Sequence, residues 1–89
     1  MISTRIAISN KLGLHARASA KLTKLAGSYP CDVFLSRGDR RVNAKSIMGV
    51  MMLAAGAGVE IEVETSGERE QEAMDALLAL IRDRFGEGE

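Results

Sequence analysis

Tryptophan is absent, and tyrosine, cysteine, proline and histidine each occur once among 89 residues, beside two phenylalanines. The lone cysteine, Cys31, excludes an internal disulfide, and one histidine leaves no Cys/His cluster at zinc-ligand spacing. No metal and no cofactor are expected. Tyr29, Phe34 and Phe85 are the whole aromatic complement, so there is no stacking platform for single strands, and no long basic helix suits a groove. Nucleic acid is not an expected partner. The longest nearly continuous apolar stretch, residues 47–59, holds three glycines and falls short of the roughly 20 residues that span a bilayer, so no membrane partner is expected. Residues 1–8 lack the basic region, apolar run and cleavage site of a secretory signal, and the expected location is cytoplasmic.

What is present is a composition of 46% hydrophobic and 27% charged residues, which suits one compact domain over residues 1–89. The formal net charge is zero, yet it is unevenly spread. Residues 1–50 carry nine Lys/Arg and two Asp, whereas residues 51–89 carry three Arg and ten Asp/Glu. Cations gathered on one face would select an acidic partner.

Ile2, Thr4, Ile6 and Ile8 share one parity, the period of a half-buried strand. Asn10 to Gly13 is turn-like. After His15, the residues Ala18, Leu22, Leu25 and Ala26 recur at helical spacing, and Gly27 closes that helix. Its other side carries Arg17, Ala20, Lys21 and Lys24 as a basic ridge. Cys31, Val33 and Leu35 alternate with Asp32, Phe34 and Ser36 up to the turn Arg37-Gly38-Asp39, and Arg40 to Ala44 completes a hairpin. Ser46 precedes a short helix, apolar on nearly every side, that ends at the Gly-rich residues 55–58. Val59, Ile61 and Val63 alternate with Glu60, Glu62 and Glu64 in a strand with one solvated face, broken by Ser66-Gly67. Glu68, Glu70 and Glu72 fall in the first turns of a last helix whose buried stripe is Ala73, Leu77, Leu80 and Ile81. That helix is expected to end near Phe85-Gly86, leaving a short acidic tail. The order βαββαβα predicts an α+β open-faced β-sandwich, a four-stranded antiparallel sheet covered on one face by three helices.

His15 sits where the turn meets the first helix, beside backbone N–H groups that no helical carbonyl can satisfy. The positive helix end disfavours imidazolium, so a neutral ring with a nitrogen free to attack is expected. Phosphoryl transfer onto nitrogen needs such a ring. The new oxygens would accept from the amides of Ala16, Arg17 and Ala18 and from the Arg17 guanidinium, whose fork suits phosphate.

Gly13-Leu14-His15-Ala16-Arg17, followed by Lys45-Ser46-Ile47-Met48-Gly49-Val50-Met51, closely resembles the HPr family of histidine-phosphorylated carrier proteins, over essentially the whole chain. The resemblance implies a carrier of the phosphoenolpyruvate-dependent phosphotransferase system, used in sugar transport. It would accept phosphate on Nδ1 of His15 from enzyme I and deliver it to a IIA-type protein or domain. His15 and Arg17 would be its catalytic residues. The family commonly has proline directly after the arginine, where this chain has Ala18, and modestly altered site rigidity is expected there.

Ser46 matches the family's regulatory phosphorylation position, which would add a Ser46 kinase or phosphorylase to the partners, and it also suits the role of helix N-cap. Ile47, Met48, Met51 and Met52 exceed what one helix face can bury, so an adaptable docking patch is expected among them, at Ile47, Met48 and Met51, with Ala20, Lys21 and Lys24 as its basic rim. Cys31 reads as a small buried hydrophobe. The expected protein is therefore a monomeric phosphocarrier acting within a relay rather than as a stand-alone enzyme. The alternative is a regulatory interaction module of the nitrogen-linked branch, controlling partner proteins by docking.

Overall fold

The structure, a computed structural model, describes residues 1–87. Glu87 of the expected acidic tail is therefore described, and residues 88 and 89 lie outside. The elements run β1 (Ile2–Ala7), α1 (Ala16–Gly27), β2 (Asp32–Arg37), β3 (Arg40–Asn43), α2 (Ile47–Met52), β4 (Glu60–Ser66) and α3 (Glu70–Arg82), then a 3₁₀ turn at Arg84–Gly86. The strands form one antiparallel sheet in the order β1-β4-β2-β3. With three helices, this is the expected open-faced α+β sandwich.

Alternation decides which side of the sheet is packed. Val33 and Leu35 of β2 and Ile61, Val63 and Thr65 of β4 are buried, joined by Ala18, Leu22 and Ala26 of α1, Val50 of α2 and the inner stripe of α3. Burying such aliphatic side chains stabilises by roughly 1.5 to 3 kcal/mol each, before chain entropy is counted. On the open side, Arg41 lies over the Phe34 ring at 3.8 Å and reaches Glu64 at 2.6 Å.

Five expectations are corrected. Strand β4 runs two residues past Glu64, because Thr65 and Ser66 still pair with Val33 and Asp32, and the buried Thr65 hydroxyl donates to Glu70 O at 3.0 Å. Glu68 is not in the last helix, which begins at Glu70 after Arg69 turns the chain with φ +63°. The buried stripe of α3 is Ala73, Met74, Leu77, Leu78 and Ile81, while Leu80 is half-buried. Leu25 of α1 is likewise half-buried; both leucines sit at the edge of their stripe and line a shallow groove with Lys21, Lys24 and Ser28. Finally, the last helix ends at Arg82, short of Phe85-Gly86, and Phe85 is fully buried in the 3₁₀ turn, with φ +56°, where it fastens the C-terminal segment to the core.

Candidate functional site

The turn before α1 is closed by its own polar groups. Gly13 N–H donates to Asn10 O at 3.2 Å, Asn10 Nδ2 donates to Gly13 O at 2.8 Å, and Leu14 N–H donates to Ala55 O at 2.9 Å. Gly13 has φ +65°, and a Cβ there would lie 2.5 Å from Ala55 O and 2.7 Å from Gly56 Cα. Only glycine fits where the turn meets residues 55–58.

His15 leaves this turn in extended conformation and is the N-cap of α1. Its carbonyl accepts the first helical hydrogen bond, from Ser19 N–H at 2.8 Å. The amides of Ala16, Arg17 and Ala18 precede that rung and point out of the helix end. One of them, Arg17 N–H, donates to His15 Nδ1 at 3.3 Å. The imidazole thus takes the place that a serine or aspartate oxygen usually holds.

The opposite ring nitrogen, Nε2, lies 2.5 Å from Glu87 Oε2, and Glu87 Oε1 accepts from Asn10 Nδ2 at 2.9 Å. Nδ1 faces a donor and must carry a lone pair, whereas Nε2 faces a carboxylate and must carry a proton. These two contacts assign the Nε2–H tautomer. Asn10 gives its NH₂ group to two acceptors, which fixes its amide orientation. Burial pushes the Glu87 carboxyl up, but the hydrogen bonds from Asn10 and His15 and the nearby charge of Lys21 outweigh it and hold the group below the usual carboxylate range.

Beside the ring lies a cleft of about 340 Å³ lined by Lys11, Leu12, Arg17, Lys21, Gly86 and Glu87. Arg17 is exposed, and its guanidinium makes no hydrogen bond or ion pair with the described residues. Lys21 differs: its Nζ donates to Phe85 O at 2.6 Å and ties α1 to the C-terminal segment. Ala18 is fully buried, so it can serve the helix end only through its main chain.

The remaining predicted residues lie nearby on two packed helices, α1 and α2. Ala20, Lys21 and Lys24 are exposed on α1. On α2, Val50 is buried, while Ile47 and Met51 are about 40% exposed and Met48 is 68% exposed. Met52, counted with them as more than one helix face can bury, is 65% exposed. Ser46 is exposed and caps α2, its Oγ accepting from Gly49 N–H at 3.2 Å. Asn10 and Glu87 are the site residues that sequence reasoning missed. Glu87 meets the ring from 72 residues after His15 and Asn10 holds that carboxylate from 77 residues before it, separations at which no local period could signal the contacts. Among the described residues no group of His, Cys, Asp and Glu could hold a metal ion, and no helix is long and apolar enough to cross a membrane.

An open-faced sandwich with an unprotonated imidazole nitrogen at a helix N-terminus is the setting in which comparison with known proteins becomes informative. Residues 2–83 match the PTS-HPr family, the phosphorylation site of the HPr component of the phosphotransferase system. The chain belongs to this family of phosphocarriers. It is 66% identical over 89 residues to the phosphocarrier protein HPr of Cupriavidus necator, with both chains covered completely. A crystal structure of HPr from Thermoanaerobacter tengcongensis superposes with a TM-score of 0.95 at 39% identity, covering 98% of each chain. A structure of an HPr dimer from the same organism superposes with a TM-score of 0.79 at 39% identity, covering 98% of this chain and 100% of the other.

Proposed function

We propose that this phosphocarrier holds its phosphoryl group on Nδ1 of His15, receiving it from enzyme I and passing it to a IIA-type protein. The observation that carries the reading is the Nδ1 lone pair facing the open amides of α1, with Nε2 protonated on the far side. In the receiving step, Nδ1 attacks phosphorus, the bond from phosphorus to the donor's atom breaks, and its electron pair returns to the donor. The 3.3 Å bond from Arg17 N–H is long and yields readily. That N–H, with those of Ala16 and Ala18, is then available to the phosphoryl oxygens, a charge-assisted arrangement at the positive end of a helix. The guanidinium of Arg17 supplies a mobile counter-charge. Delivery is the reverse attack by the acceptor.

The exposed residues Ile47, Met48 and Met51 beside Ala20, Lys21 and Lys24 form the docking surface in this reading, an apolar centre with a basic edge for brief, electrostatically steered encounters. Phosphorylation of Ser46 by a dedicated kinase would place about two negative charges at the α2 N-terminus, favourable for the helix and repulsive for an acidic partner. The protein works in the cytoplasm as a monomer, because one site must be offered to successive partners. The exposed Ser46 cap favours a second reading, a regulatory module in which docking is the output.

The test is to mix the protein with enzyme I and phosphoenolpyruvate and to follow its mass. The carrier reading expects one acid-labile phosphoryl group on wild type and none on His15→Ala. No gain on wild type, or an equal gain on His15→Ala, overturns it.

A further inference from the structure

Glu87 contacts the His15 ring at the nitrogen that the transfer step leaves untouched. The carboxylate reaches Nε2 with one oxygen at 2.5 Å and receives Asn10 Nδ2 on the other at 2.9 Å. Asn10 is fully buried and is clipped to the same turn that presents His15, through Gly13 O at 2.8 Å. The segment bearing Glu87 is equally held. Phe85 is buried beneath it, Lys21 Nζ donates to Phe85 O at 2.6 Å, and Glu87 N–H donates to Arg84 O at 3.0 Å. Each end of the chain Asn10, Glu87, His15 is thus anchored in the fold rather than left to surface side-chain motion.

We propose that Glu87 is a positioning residue for phosphoryl transfer, locking His15 in the Nε2–H tautomer and compensating the positive charge that the ring gains when Nδ1 is phosphorylated. The inference rests on the reading of His15 as the phosphoryl acceptor. The charge follows from the atoms. A neutral ring with its proton on Nε2 attacks through Nδ1, the donor leaves with the electron pair, and no proton departs. The product is an Nδ1-phosphorylated imidazolium that still holds Nε2–H. A carboxylate in contact with that N–H stabilises the product more than the free ring, because only the product ring is cationic. In acyl-transfer triads an aspartate behind a histidine has the same two effects, on tautomer and on charge. Lys21 is a charged group near Glu87, and its commitment to Phe85 O leaves the carboxylate for the imidazole.

Two variants separate the effects. Glu87→Ala removes acceptor and charge; Glu87→Gln keeps an oxygen to accept from Nε2–H but removes the charge. Nitrogen-15 NMR of the His15 ring reads the tautomer in the unphosphorylated protein, so this arm stands whether or not the carrier reading survives. The expected result is Nε2–H in wild type and Glu87→Gln, with the Nδ1–H form appearing in Glu87→Ala. The second readout is the equilibrium of phosphoryl transfer from enzyme I, charged with phosphoenolpyruvate. Both variants are expected to shift it toward enzyme I by about tenfold, the scale of a lost charge-assisted hydrogen bond. A residue that merely braces the fold would leave both readouts alone and lower thermal stability instead. An Nε2–H population and a transfer equilibrium in Glu87→Ala that match wild type would overturn the proposal. Failure of wild type itself to accept phosphate would overturn the carrier reading and the charge-compensation half of the inference, with the tautomer arm still decided by its own spectrum.

Discussion

Gly13→Ala is the substitution with the most local consequence. The added Cβ would sit 2.5 Å from Ala55 O, the same carbonyl that accepts Leu14 N–H at 2.9 Å, and 2.7 Å from Gly56 Cα. Both neighbours are backbone, so neither can swing aside as a long side chain would. The left-handed φ of +65° adds about 1 to 2 kcal/mol for a residue with a Cβ. Overpacking adds about 1 to 3 kcal/mol, and loss of the Leu14 hydrogen bond about 1 kcal/mol. A total of at least about 3 kcal/mol is expected, which lowers Tm by roughly 15 °C in a domain of this size. Thermal unfolding followed by circular dichroism measures it. Gly27→Ala is the internal control, because its Cβ meets nothing within 4 Å and its φ is not left-handed. That change is expected to be neutral or to stabilise by up to about 1 kcal/mol. A Gly13→Ala protein melting within about 2 °C of wild type would refute the claim that this turn is wedged against residues 55–58.

Further outcomes follow from other contacts. Ser46→Ala removes the α2 cap and is expected to cost about 1 kcal/mol in urea unfolding, whereas Ser46→Asp keeps an acceptor for Gly49 N–H and is expected to lose less. Phe85→Ala empties a fully buried aromatic site and is expected to cost about 3 to 5 kcal/mol, read by the same titration. The Glu70 carboxyl is held below its usual value, first by the hydrogen bond from Gly67 N–H and then by the terminal ammonium of Met1. A depressed carboxylate stabilises the fold above its unfolded pKa and loses that contribution as pH falls through the folded value. Wild type is therefore expected to lose Tm between about pH 5 and pH 3 more steeply than Glu70→Gln.

Most of the scaffold was legible because it is written in short periods. The alternation of Val59, Ile61 and Val63 against three glutamates admits one strand and one inner face, and the spacing of Ala18, Leu22 and Ala26 admits one buried helix stripe. The His15 position was legible for a similar reason, since a turn followed by a helical repeat places it at the helix end. What stayed hidden depends on partners distant in sequence. Glu68 looked helical by charge, but Arg69 breaks the backbone path before Glu70. Leu80 matched the helical spacing, yet whether a stripe-edge residue is covered depends on the neighbouring helix. Asn10 and Glu87 meet beside His15 across 77 residues of chain, and no window of sequence holds both. Lys21 read as part of a free basic ridge until the Phe85 carbonyl appeared beside its ammonium.

The central claim concerns one nitrogen atom and the helix end in front of it. Phosphorylating a nitrogen-15-labelled sample with enzyme I and phosphoenolpyruvate, then recording phosphorus and amide NMR spectra, tests it directly. The account predicts phosphorus coupled to Nδ1 of His15, with the largest amide shifts at Ala16, Arg17 and Ala18. Phosphorus coupled to Nε2, or amide shifts that bypass those three residues, would contradict it.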